Sequence, residues 1–275
     1  MDFNTFLSIY PKRDEDSDKT KNGRILLVTG SYGMAGACSL AQIGAHCLGA
    51  SYIHVCVPES IYPIVASQDI TSVYHPGDEI PEGLIKHVDA IGIGCGLTNH
   101  PRKKELLQQV LAESAVPVIL DAEALRVIAK DPDVLGDVSC PVIMTPHLGE
   151  LSALTGEGID TLKLSPVNNG GIYAFKNHLT MVIKGHPSYV ISPYGQVYEN
   201  DSGNAALAQA GSGDVLTGIV TAMCAISHSD PFTATCAAVW YHGALADEAV
   251  RGNSTAVFDP RQLPQVANRM LAGYR

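Results

Sequence analysis

The run Ala210-Gly211-Ser212-Gly213-Asp214-Val215-Leu216 holds the residues with the sharpest chemical meaning in this chain. Two glycines let a backbone come close to a bulky anion. A helical pattern starts at Asp214 and continues to Ile226. The first N–H groups of such a helix have no intrahelical acceptor, and the helix dipole adds positive character. A helix start of this kind suits a phosphoryl group. A carboxylate beside it fits the role of a base: Asp214 takes the proton from a substrate hydroxyl as the phosphoryl group arrives. The alternative is an ordinary helix N-cap, where aspartate is favoured and glycines are common.

Further stretches could share this chemistry. Gly30-Ser31-Tyr32-Gly33-Met34-Ala35-Gly36-Ala37 is similar to a phosphate-cradling turn, but lacks the Walker lysine and the G-x-G-x-x-G spacing. Its small residues serve tight helix–strand packing equally well. Gly94-Cys95-Gly96-Leu97 permits close ligand approach. Asp121 closes an apolar run, where a carboxylate either holds a divalent cation through water, orients a substrate amide, or caps the helix that follows. Thr145-Pro146-His147-Leu148-Gly149-Glu150 sets a histidine and a glutamate at a strand–helix junction. There His147 either bonds substrate or is structural, and Glu150 either acts at a metal or caps the helix. In Lys184-Gly185-His186-Pro187-Ser188 a cation precedes a tight turn, and a lysine there suits a nucleotide phosphate.

The elements that must position these residues alternate. Strands are expected at 24–29, 51–57, 89–94, 116–120, 141–144 and 180–183. Helices are expected at 36–49, 101–114, 123–130, 165–178, 214–226, 231–250 and 260–272. Residues 188–192 and 196–199 flank Pro193-Tyr194-Gly195 and read as a β-hairpin. Such alternation implies an α/β fold, a mostly parallel central sheet with helices on both faces. Ligands of open α/β sheets bind at the carboxyl ends of the strands, so one rim collects all of these stretches. No linker or repeat divides the chain, which is expected to be a single domain over 1–275, with 1–22 as an exposed lead-in.

Composition narrows the function further. A net charge of −10 argues against a generic nucleic-acid binder. An acidic protein can still bind phosphate through local backbone dipoles. The seven cysteines form no C-x-x-C pair and no zinc spacing, and fit a reducing, cytoplasmic setting. No apolar run reaches eighteen residues, so no membrane span is expected. The first ten residues lack the basic region of a secretory signal.

In order, the chain carries V-T-G-S-Y-G-M-A-G-A (28–37), I-G-C-G-L (93–97), L-D-A-E-A-L (120–125), T-P-H-L-G-E-L (145–151), I-K-G-H-P-S (183–188), G-N-A-A-L-A-Q-A-G-S-G-D-V-L-T-G (203–218) and Y-H-G (241–243). This series resembles the ADP-dependent NAD(P)H-hydrate dehydratases, which have a ribokinase-like fold. A-G-S-G-D is shared with sugar and vitamin kinases; T-P-H-x-G-E with the 30–37 turn is far more specific. The chain departs from the usual pattern at Asp18, Cys95, Thr98, Glu123 and Leu148.

The resemblance implies repair of the S epimer of hydrated NADH or NADPH. ADP donates a phosphoryl group to the C6 hydroxyl, and elimination restores the reduced cofactor with release of AMP and phosphate. It further implies that Ala37, Gly96, His147 and Asp214 contact the hydrate, with Asp214 the base. Lys184, Gly185, His186, Pro187 and Ser188, with Gly211, Ser212 and Gly213, would hold the adenine nucleotide. Mg²⁺ is expected with ADP, its protein ligands unassigned. A homotetramer and a separate NAD(P)H-hydrate epimerase are the expected partners. The alternative is a ribokinase-like small-molecule kinase of a vitamin precursor, which would use ATP and release a stable ester. A nucleotide-binding sensor without turnover is a third possibility.

Overall fold

The computed structural model describes residues 1–136 and 138–274. Among them, the strands are β1 (Arg24–Val28), β2 (Tyr52–Val57), β3 (Val73–Pro76), β4 (Ala90–Ile93), β5 (Val118–Leu120), β6 (Val142–Met144), β7 (Thr180–Ile183), β8 (Ser188–Ile191) and β9 (Val197–Asn200). All join one sheet in the order β3-β2-β1-β4-β5-β6-β7-β8-β9. Strands β3 to β7 in this order run parallel, and β8 and β9 add an antiparallel edge.

The helices are α1 (Phe3–Ile9), α2 (Ala35–Cys47), α3 (Tyr62–Gln68), α4 (Lys103–Glu113), α5 (Glu123–Lys130), α6 (Leu148–Thr155), α7 (Ile159–Leu164), α8 (Pro166–Lys176), α9 (Ser212–Ile226), α10 (Pro231–Ala249) and α11 (Leu263–Leu271). The α/β class expected from sequence, with a mostly parallel sheet covered on both faces, is present.

Strand periodicity explains the two-sided core. Successive side chains of a strand point to opposite faces. Ile25 and Leu27 of β1 therefore enter the apolar cluster that also takes residues of α2, α9, α10 and α11. Leu26 and Val28 enter the opposite cluster, with residues of α4, α5 and α8. Because both faces are covered, the central strands read as continuous apolar runs.

Two glycines set how closely α9 can lie on α2. A Cβ on Gly44 would stand 2.1 Å from the Val215 carbonyl oxygen, and one on Gly218 would stand 1.9 Å from that of Ala41. With no side chain at either position, the two helices cross almost backbone to backbone. The N-terminal end of α9 is thereby drawn over the carboxyl ends of the central strands.

Residues 1–22 are not uniformly exposed. Asp2 caps α1, and Phe6 is fully buried, its ring stacked on Tyr241 of α10 at 4.6 Å between centroids. A seven-residue helix is too short to show a clear periodicity, so its one buried aromatic is what fixes it. Helix α3, strand β3 and helix α7 are also absent from the sequence expectations. Their exposed apolar residues, Ile64, Val73 and Ile159 among them, blur the pattern that would mark them.

Candidate active site

The strand order reverses between β1 and β4, and the chain after β1 and after β4 leaves to opposite faces. A crevice at such a switch point is where open α/β sheets bind ligands. Here the two glycine turns are laced together. Gly30 N–H donates to the Cys95 carbonyl at 2.8 Å, and the Ser31 hydroxyl donates to the Gly96 carbonyl at 2.6 Å. Ala37, in the first turn of α2, packs directly on them: a Cβ on Gly96 would lie 2.8 Å from the Ala37 Cβ. The packing role is therefore realised at these residues.

Asp214 is the third residue of α9. The helix begins two residues earlier than its apolar pattern suggests, and its N-cap is Gly211, at φ 92° and without a side-chain cap. The N-cap alternative for Asp214 is thus removed. Its carboxylate instead converges on Cys95 and Asp121, with one candidate ligand atom from each lying within 4.8 Å of the others. Burial, followed by the negative charge of Asp121, raises the Asp214 pKa to about 6. The Cys95 hydrogen bond and the Lys184 charge act against that rise. Cys95 is fully buried, and burial together with the two carboxylates holds its thiol protonated.

Asp121 does not cap α5, whose N-cap is Ala122 with no side-chain bond. Its Oδ1 receives the Lys184 ammonium at 2.7 Å and its Oδ2 the Thr217 hydroxyl at 3.0 Å. Lys184 also lies 3.5 Å from Glu150. Burial works against the lysine's charge, but Asp121 and Glu150 outweigh it, and its pKa sits above the ordinary value. The ammonium reaches the α9 start: a Cβ on Gly213 would be 3.4 Å from Lys184 Nζ. The anion-binding backbone and the cation thus stand side by side.

His147 and Glu150 form a capping box at α6. His147 Nδ1 accepts from the N–H groups of Gly149 (3.0 Å) and Glu150 (3.2 Å), and Glu150 Oε2 accepts from His147 N–H at 3.0 Å. With Nδ1 accepting, the half-exposed imidazole presents Nε2 at the rim, 3.5 Å from Glu150 Oε1. Glu123 is tied elsewhere, in a 2.6 Å ion pair with Lys103 of α4.

Beside this cluster opens a cavity of about 710 Å³. His147, Lys184, Gly185, His186, Ser188, Ser212 and Gly213 line it. Pro187 and Gly211 do not. Gly211 turns the chain into α9, where a Cβ would strike Leu40 at 2.3 Å. Ala37 and Gly96 lie outside the cavity, at the switch point. The remaining lining is unexpected from sequence: Asn200, Ser202, Gly203, Asn204, Leu207, Leu216, Val239, His242 and Gly243 contribute. Gly203-Asn204 and His242-Gly243 do stand inside the motifs quoted above. No strand-end rule points to them, because they follow an antiparallel edge strand or sit within a helix. Asp247 holds their loop, accepting from Gly203 N–H (2.9 Å) and Asn204 Nδ2 (2.8 Å).

The same geometry tests a place for Mg²⁺. Magnesium takes oxygen ligands in octahedral geometry and is usually bound by one or two carboxylates together with substrate phosphates. Cys95 is a protonated thiol, and both Asp121 oxygens already accept protein donors. The donor set is no closed cage, but two carboxylates near an anion site do fit an ion carried by a polyphosphate.

A mostly parallel sheet with an antiparallel edge, a glycine-lined helix start and an acid in its first turn define a class: ribokinase-like α/β proteins. A sequence profile described as NAD(P)H-hydrate dehydratase matches residues 25–268, and the chain belongs to that family. The ADP-dependent (S)-NAD(P)H-hydrate dehydratase of Neisseria meningitidis serogroup B is 34 % identical over 252 residues, covering 88 % of this chain and 82 % of that protein. The bifunctional NAD(P)H-hydrate repair enzyme Nnr of Moorella thermoacetica is 33 % identical over 253 residues, or 88 % of this chain. The chain spans about half the length of such bifunctional relatives, 48 % in that case. A crystal structure of ADP/ATP-dependent NAD(P)H-hydrate dehydratase from Bacillus subtilis, co-crystallized with ATP/Mg²⁺, superposes with a TM-score of 0.87 at 30 % identity, covering 98 % of this chain and 96 % of that one.

Proposed function

We propose that this chain dehydrates the S epimer of hydrated NADH or NADPH, with ADP as phosphoryl donor. The observation that carries the proposal is the Asp214 carboxylate: partly buried, with a pKa near 6, in the first turn of α9 and close to the Lys184 ammonium. A base of that pKa is matched to proton removal near neutral pH. Asp214 takes the proton of the C6 hydroxyl while its oxygen attacks the terminal phosphorus of ADP. The bond to the bridging oxygen breaks, and AMP leaves. The Gly213 turn and Lys184 neutralise the charge that develops on the phosphoryl oxygens. Hydroxide is a poor leaving group and phosphate a good one, so the lone pair of the ring nitrogen now expels phosphate. Loss of the C5 proton then restores the dihydropyridine.

Lys184, Gly185, His186, Pro187, Ser188, Gly211, Ser212 and Gly213 are proposed for the nucleotide. Ala37, Gly96 and His147 are proposed for the hydrate; His147 bridges the two groups, since it also lines the cavity. Mg²⁺ would ride on the phosphates of the nucleotide, facing Asp121, and supply charge neutralisation. An epimerase that interconverts the two hydrate epimers would be the functional partner. The seven unpaired cysteines suit a reducing compartment such as the cytoplasm. No helix among the described residues is long and apolar enough to cross a membrane. A tetramer and a single-domain organisation complete the proposal.

The test is product analysis. Hydrated NADH with ADP should regain the absorbance of reduced nicotinamide as AMP and phosphate appear in equal amounts. A stable phosphate ester formed without NADH would instead identify a small-molecule kinase.

A further inference from the structure

The cavity beside Lys184 has two kinds of wall. One is the helix start at Gly213 with the lysine ammonium. The other is apolar, from Leu207, Leu216 and Val239, and His242 stands in it. His242 lies three residues beyond Val239 on the same face of α10. The residue is 9 % exposed, and its Nε2 is buried without a hydrogen-bond partner.

Its polar neighbours are satisfied within the protein. Asn200 Oδ1 accepts from the Tyr198 and Ser202 hydroxyls, both at 3.0 Å, and its amide donates to the Ser202 carbonyl at 3.3 Å. A buried nitrogen without a partner is costly, and it persists most readily where a ligand supplies the missing group. The wall is also held close. A Cβ on Gly243 would stand 2.2 Å from Ser202 Oγ, so α10 rests directly against the loop that follows β9.

Charge indicates which part of a ligand His242 meets. Burial, with the positive charge of Lys184 second, pushes its pKa down to about 4. The ring is therefore uncharged near neutral pH, which makes it a poor phosphate ligand. A neutral imidazole among aliphatic side chains suits the edge of a flat, uncharged heteroaromatic ring. We infer that His242 reads the base of the nucleotide, its ring turning as the base enters so that Nε2 forms a hydrogen bond with the adenine edge. This role depends on the nucleotide-binding function proposed above and adds to it a residue that selects the base.

Calorimetric titration of the full chain with ADP, and separately with inorganic pyrophosphate, distinguishes the two walls. His242→Leu should weaken ADP binding by about tenfold or more, the loss expected for one buried hydrogen bond, and leave pyrophosphate within about twofold. It should also narrow the preference for ADP over UDP. His242→Gln keeps a donor and an acceptor and should recover most of the ADP affinity. Unchanged ADP affinity in His242→Leu, or equal losses for ADP and pyrophosphate, would overturn the inference. Should the leucine variant fail to fold, the nitrogen resonances of His242 in the parent decide: ADP, but not pyrophosphate, should shift Nε2, and no shift overturns it. A parent that binds neither ligand removes the nucleotide proposal itself, and His242's role with it. A parent that binds ADP whatever stands at position 242 removes only this inference.

Discussion

An aspartate that accepts a proton near neutral pH has to be held where its charge is disfavoured, and Asp214 is held in that way. Burial and the neighbouring Asp121 raise its pKa to about 6, above the 3.8 of a free side chain. Two consequences follow, of opposite sign for activity and for stability. Only the ionised form is a base, so kcat/KM should fall about tenfold per pH unit below roughly 6. Asp121→Asn removes the repelling charge and should move that inflection to lower pH; an unchanged or higher inflection in a pH–rate profile would break the link between the two acids. For stability, the folded state binds the Asp214 proton more tightly than the unfolded state does. Its contribution is therefore favourable at low pH, declines as pH rises from 3.8 to about 6, and leaves a penalty above that. Asp214→Asn should stabilise the fold at pH 8 by about 1–3 kcal/mol, since a pKa unit corresponds to about 1.4. The same variant should lose at least about two orders of magnitude in turnover and keep its ADP affinity. Thermal unfolding at pH 8 and steady-state kinetics on one preparation check both signs together.

Elements decide whether such residues meet. The site draws on five strand ends, two glycine turns and one helix start, and most of it is legible in the sequence. Strands β1, β4, β5, β6 and β7 are short apolar runs that each end in a polar or glycine residue. Parallel pairing then brings Gly30, Gly94, Asp121, Thr145 and Lys184 to one rim. What the sequence does not disclose is the partner of each group. Lys184 invites pairing with a ligand phosphate, yet it also answers Asp121 and Glu150, an arrangement that depends on the register of β5 against β6 and β7. The wall from α10 is hidden for a different reason. That helix is apolar nearly all round and buried on most of its surface, so no polar stripe singles out His242. Helix α1 shows the same limit in a shorter segment. Phe6 is fully buried against Tyr241 and Trp240, and Phe6→Ala should cost about 3–4 kcal/mol by removing a buried ring. Denaturant midpoints should report that loss, while ADP affinity stays near that of the parent, because α1 lies on the α10 face and does not line the cavity. A midpoint shift below about 1 kcal/mol would show that α1 is not part of the folded core.

At the scale of the whole molecule, both proposed ligand sites lie on one rim, where elements that also pack together in the core converge. The turn after β1 and α2 lean on α9. The loop after β7, the segment after β9 and α10 close around the cavity from the other side. A nucleotide seated there would contact α9, the loop after β7, the segment after β9 and α10 at once, and a ligand that binds only the folded state stabilises it by mass action. At a hundred times its dissociation constant, ADP should add about 2.7 kcal/mol. For a chain of this length that raises the unfolding temperature by roughly 5–8 °C. Lys184→Ala should remove most of the shift, because the ammonium is the cation next to the Gly213 helix start, at 3.4 Å from the position a Cβ there would take. The variant also releases Asp121, buried at 2 % exposure, from its closest ion pair and should be less stable without ligand. The two effects separate in a scan of unfolding temperature against ADP concentration. Loss of the ion pair lowers the intercept, while loss of the phosphate contact flattens the slope. A Lys184→Ala protein with a lowered intercept and a parental slope would leave Lys184 as a structural partner of Asp121 and move nucleotide binding to the backbone amides of α9 alone.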